Sequence, residues 1–121
     1  MKKLFISCPM KGRSEESIMN MMDKMHKIAE IVFNQPLERV KSHRDYDEPV
    51  GARHNVYCLG QSISLLAEAD YFIGIGFSSS REVYNGCIVE RNVAELYDIP
   101  TYLIDEWEML MDEYYEEEDE A

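Results

Sequence analysis

With 121 residues, 45% of them apolar and 30% charged, the chain suits one globular domain with a core of its own. Its longest uncharged apolar run, Tyr71 to Phe77, is too short to span a bilayer. The net charge of −12 is uneven: residues 105–121 carry ten acids and no base, leaving 14 acids and 12 bases before them, so no basic face for a nucleic acid polymer is expected.

Lys2 and Lys3 lead directly into a short strand-like run, without the long apolar stretch and small-residue cleavage site of a secretion signal. Cys8, Cys58 and Cys87 are odd in number and contain no C-x-x-C pair, so reduced thiols are expected, with no disulfide framework and no metal site. A cytoplasmic protein without a membrane partner fits both readings.

In chain order, Leu4-Phe5-Ile6 reads as a buried strand ended by Pro9. Ser14 and Ser17 offer N-caps to a long helix, in which Ile18, Met22, Met25, Ala29, Val32 and Phe33 form one apolar stripe. The cluster Met19, Met21, Met22 and Met25 reads as core filling. A weaker strand over 37–40 precedes a polar stretch from Lys41 to Asn55, long enough to suggest a function. Its His43, Asp45, Asp47, Glu48 and His54 follow no metal-ligand spacing and read as loop polarity.

Val56 to Ala69 has helical periodicity, with Leu59, Ile63, Leu66 and Ala67 facing inward. Asp70, read as a cap on that helix, opens the clearest strand, which runs to Phe77. Ser78 to Gly86 is a loop of small residues, and Cys87 to Tyr97 a helix burying Val89, Val93, Leu96 and Tyr97. Residues 100–104 form the last strand and 106–115 a final helix. This alternation predicts an α/β fold with a parallel sheet of four or five strands, covered on both faces. Residues 1–104 make the domain; 105–121 are an acidic helix and tail, one use of which would be to dock a basic partner.

Ligands of such sheets bind beyond the carboxyl ends of the strands. The first loop there, Ser7 to Ser14, leads into a helix N-terminus where backbone N–H groups favour an anion, with Arg13 and Ser14 as added donors; the same pattern fits an ordinary turn. It is neither a Walker A loop nor G-x-G-x-x-G. In the loop after the third strand, Ser78, Ser79, Ser80 and Arg81 suit a phosphate or sugar hydroxyls, and Gly86 allows close backbone approach. Glu90, placed by this reading in the first turn of the next helix, could attack an anomeric carbon, or could simply answer the helix dipole. Cys8 and Cys87, both near helix starts, read as small buried residues.

Leu4-Phe5-Ile6-Ser7-Cys8-Pro9-Met10-Lys11-Gly12, Ala69-Asp70-Tyr71-Phe72-Ile73, and Gly86-Cys87-Ile88-Val89-Glu90 followed by Ala94 to Pro100 together resemble motifs of the nucleoside 2-deoxyribosyltransferase-like superfamily, particularly its short bacterial and phage members. The resemblance covers Lys3 to Ile104. It implies a three-layer Rossmann or flavodoxin-like fold, a homo-oligomer and no cofactor. The implied activity is transfer or hydrolysis at the N-glycosidic bond of a nucleoside or nucleotide. Glu90 matches the nucleophile. Ser7, Met10, Gly12, Arg13, Ser78, Ser80, Arg81 and Gly86 become the expected ligand contacts. Tyr84 stands where those enzymes carry an aspartate, and a second family aspartate falls near Gln61 or Ser62. Two functions therefore remain open: an N-glycosidase or deoxyribosyltransferase, or a non-catalytic nucleotide binder using the same pocket.

Overall fold

The structure, a computed structural model, describes residues 1–9, 12–41, 48–76 and 85–105. Four strands, β1 (Lys2–Ile6), β2 (Leu37–Arg39), β3 (Tyr71–Gly76) and β4 (Thr101–Asp105), form a wholly parallel sheet in the order β2-β1-β3-β4. Between them run α1 (Glu15–Val32), α2 (His54–Leu66) and α3 (Asn85–Leu96). The expected α/β architecture is thus present. The predicted helix over 106–115 and the acidic tail lie outside the described residues.

The topology explains the layers. From β1 the chain moves outward to β2, then crosses back over β1 to β3 and β4. Right-handed crossovers in opposite directions put their helices on opposite faces. Accordingly α1 packs on one face, with Met21, Met25 and Ala29 against Leu4, Leu37, Ile73, Ile75 and Ile104. On the other face α2 and α3 bring Leu65, Leu66 and Ala94 against Phe5 and Phe72. Alternation along the strands sends Leu4 one way and Phe5 the other, and because both faces are covered the strands read as continuous apolar runs. Phe5 and Phe72 stack with ring centroids 5.7 Å apart.

β3 is asymmetric. Its α1 face carries Ile73 and Ile75, whereas its α3 face carries Phe72, Gly74 and Gly76. A methyl group on Gly74 would come within 2.9 Å of the Phe72 ring, so only hydrogen fits beneath that ring.

Several predicted contacts are corrected. α1 buries Met21, while Val32 is 41% exposed and Met19 also faces outward. α2 starts at His54, and its Ala67 end is exposed. α3 begins at Asn85, so Gly86 belongs to the helix and Glu90 to its second turn. Its inward line is Cys87, Glu90 and Ala94, which leaves Val89, Leu96 and Tyr97 exposed. Val93 packs on the core as expected, but beside it the sheet receives small and polar side chains rather than the larger apolar ones. Asp70 does not cap a helix: its carboxylate accepts the Lys3 N–H at 2.8 Å and its own N–H donates to the Lys3 carbonyl, tying β3 to the start of β1. Among the described residues no helix is long and apolar enough to cross a membrane.

Candidate functional site

The crossing pattern leaves one place where neighbouring strands send their chains to opposite faces: between β1 and β3, beyond their carboxyl ends. Ser7 stands there. Its N–H extends the ladder to the Ile73 carbonyl at 2.9 Å, and by alternation its side chain shares the α2/α3 face with Phe5. Carrying the register one step on sets Ser7 beside Gly74, over which the Phe72 ring lies.

Ser7 is 2% exposed, and a polar group so buried must be partnered. Its hydroxyl donates to Glu90 Oε1 at 2.8 Å. Ser62, on α2, also favours the charged form of the Glu90 carboxyl. One residue after β1 and one on α2 therefore act on a single acid of α3.

Burial pushes the Glu90 pKa above the ordinary carboxylate value, and the hydrogen bonds from Ser7 and Ser62 oppose that rise. None of the other described carboxylates contributes to the shift. One turn earlier, burial pushes the Cys87 thiol up to about 11; a hydrogen bond with Ser7 opposes the rise and the Glu90 charge adds to it. Cys87 is therefore a thiol at neutral pH.

The remaining expected contacts divide. Gly12, at φ +77, and Arg13 lie between β1 and α1 on the same carboxyl edge. Ser14 is the N-cap of α1, its oxygen accepting the Ser17 N–H at 3.1 Å, so that oxygen serves the helix. Side chains built on Gly12 or Gly86 would meet none of the described residues within 4 Å. Met10, Ser78, Ser80 and Arg81 lie outside the described residues, as does Tyr84. Sequence reasoning missed Ser62 as a hydrogen-bonding partner; it marked that position only as lacking an aspartate.

A separate depression at the opposite, amino-terminal end of the sheet is lined by Met1, Lys2, Gln35, Pro36 and Asp70. It is broad and open, and Asp70 there already serves the β1 backbone. The convergence of side chains is at the carboxyl edge.

Compared with protein-family models, with curated proteins and with solved structures, the chain matches none. The site must therefore be read from its own chemistry.

Proposed function

We propose that the crevice around Ser7, Ser62 and Glu90 takes a nucleoside or nucleotide, and that Glu90 attacks the anomeric carbon of its sugar. The observation that supports this most is a half-buried carboxyl that accepts the buried Ser7 hydroxyl beside the β1/β3 switch point. Ionised Glu90 would bond to the anomeric carbon as the glycosidic C–N bond breaks. The bonding pair leaves on the base, which takes a proton from solvent. Water, or a nitrogen of a second base, then displaces the Glu90 carboxylate and completes hydrolysis or transfer. Ser7 keeps the carboxylate oriented, and Gly76, whose nearest neighbours stand 3.8 Å away, leaves the rim of β3 without a side chain. The three free cysteines agree with a cytoplasmic setting.

A specific observation favours a second reading, a non-catalytic nucleotide binder. Glycosidic cleavage commonly uses a pair of carboxyl groups, and no other described carboxylate influences Glu90.

The deciding experiment is Glu90→Gln, followed by chromatography of free base from deoxynucleosides and their monophosphates. For an enzyme, release falls by about two or more orders of magnitude in the variant while nucleotide still raises the melting temperature. For a binder, wild type releases no base above background but melts higher with nucleotide. Undiminished release by Glu90→Gln would remove Glu90 from the chemistry. Because attack needs the ionised acid and its pKa is raised, activity should fall on the acid side at a higher pH than an ordinary carboxylate would dictate.

A further inference from the structure

Outside this crevice, the start of α2 holds a second group of reactive side chains. His54 is the first residue of the helix and Cys58 lies one turn on, so both project from the same face. Cys58 Sγ is 3.6 Å from His54 Nε2. The other ring nitrogen, Nδ1, is 2.8 Å from Glu48 Oε1. Glu48 and His54, which the sequence suggested were loop polarity, are thus joined in series with a cysteine; His43, Asp45 and Asp47 lie outside the described residues.

The direction of the chain of contacts follows from the chemistry of its end. A carboxylate accepts and cannot donate, so Nδ1 carries a proton toward Glu48. Nε2 is then the nitrogen left to take the thiol proton. Glu48 and Cys58 sit on different ring nitrogens, so the three groups do not converge as metal ligands, and no such group occurs among the described residues.

We propose that Cys58 is a nucleophilic thiol that undergoes thiol–disulfide exchange with low-molecular-weight disulfides, with His54 as its base and Glu48 as the positioning residue. In the step, His54 Nε2 takes the Cys58 proton and the sulfur attacks one sulfur of R–S–S–R. A new Cys58–S–S–R bond forms, the old S–S bond breaks, and R–S⁻ leaves and receives the proton from His54. Oxidation of Cys58 and reduction of the departing thiol balance. A small disulfide is the class that fits, because Cys58 is exposed and the His54 side chain is 74% exposed, with no cleft formed around them by the described residues.

The other two cysteines are placed so that the adduct persists. Cys8 is buried in the core against α1, on the far side of the sheet from α2. Cys87 is half-buried, with its pKa pushed up to about 11. Neither offers an exposed thiolate to displace the adduct, so an external thiol is needed to reverse it. Cys58 also stands one turn from Ser62 along α2, about 6 Å by helix rise, so the adduct would sit beside the Glu90 crevice.

The test uses the whole native protein, without nucleoside, and does not depend on the Glu90 reading. Dithiobis(nitrobenzoate) should label one thiol rapidly, with oxidised glutathione giving a single adduct that mass spectrometry places on Cys58. Cys58→Ser should abolish the fast phase. His54→Gln should slow it by about tenfold or more at unchanged melting temperature. Glu48→Ala should slow it by about threefold, and Glu48→Gln should recover most of that loss, because its amide oxygen still accepts the Nδ1 proton. A His54→Gln rate equal to wild type, or a first adduct on Cys8 or Cys87, would overturn the proposal.

Discussion

The two flanks of the sheet use polar side chains in opposite ways. At the β2 edge, α1 supplies a network that completes the backbone. Glu30 accepts the Leu37 N–H at 2.9 Å, and His26 Nε2 donates to the Leu37 carbonyl at 2.7 Å. Arg39 Nε donates to His26 Nδ1 at 2.8 Å, which fixes that tautomer, and its guanidinium also binds Asp23. The outward backbone groups of an edge strand invite another strand, and at Leu37 both are already occupied. At the α3 flank Glu90 is turned into the sheet, where among the described residues the Ser7 hydroxyl, not a backbone group, donates to it.

Their acids titrate in opposite directions. The Arg39 hydrogen bond holds Asp23 below the ordinary carboxylate value, whereas burial lifts Glu90 above it. One acid serves the fold; the other is kept against it.

The comparison breaks most visibly at Gly74, on the crevice face of β3. Gly74→Ala forces a methyl into the Phe72 ring and should cost about 1–3 kcal/mol by denaturant unfolding. Gly76→Ala meets its nearest atoms only at 3.8 Å and should cost clearly less. Equal losses at the two positions would mean that Phe72 does not shape this floor.

At the opposite edge, Glu30→Ala leaves the Leu37 N–H without its carboxylate, at about 0.5–1.5 kcal/mol. The same unfolding experiment measures it, and no loss would show that water replaces Glu30 there.

Acid titration separates the flanks more finely. Glu90 has a raised folded pKa, so its contribution to stability is present at low pH and lost as pH rises through that pKa. Asp23, with a lowered pKa, contributes above its unfolded value and loses that contribution as pH falls through the folded one. Melting temperature followed from neutral pH downward should therefore show Glu90 adding stability before Asp23 withdraws it. Glu90→Gln should remove the first effect and be neutral or stabilising at pH 7; Asp23→Asn should remove the second. A loss of stability at pH 7 in Glu90→Gln would reverse the assignment of cost.

The smallest expected effects lie at the helix ends. α1 and α3 both close with a left-handed residue, Asn34 at φ 54 and Asp98 at φ 59, followed by bonds from Gln35 N to the Glu30 carbonyl and from Ile99 N to the Ala94 carbonyl. Asn34→Gly or Asp98→Gly should gain a few tenths of a kcal/mol, up to about 1, in thermal unfolding. A loss would show that these side chains contribute more than their backbone geometry costs.

The strands and helices were legible because short apolar runs and helical periodicity are local properties, and their alternation implies a parallel sheet. Ser7 and Glu90 could be named from their places after a strand and within a helix. Their contact could not, since 83 residues separate them and only the order β2-β1-β3-β4 sets β1 beside β3. The phase of α3 was equally hidden: Val89, Leu96 and Tyr97 carry the stronger apolar signal, yet Cys87, Glu90 and Ala94 face the sheet. Ser62 and the Glu48–His54–Cys58 series gave no motif at all, because a serine or histidine declares its partner only when another element arrives beside it. The sequence alone determined which segments are helix or strand. Tertiary packing decided which polar groups meet, because the partner of a buried polar group is chosen by what shares its space.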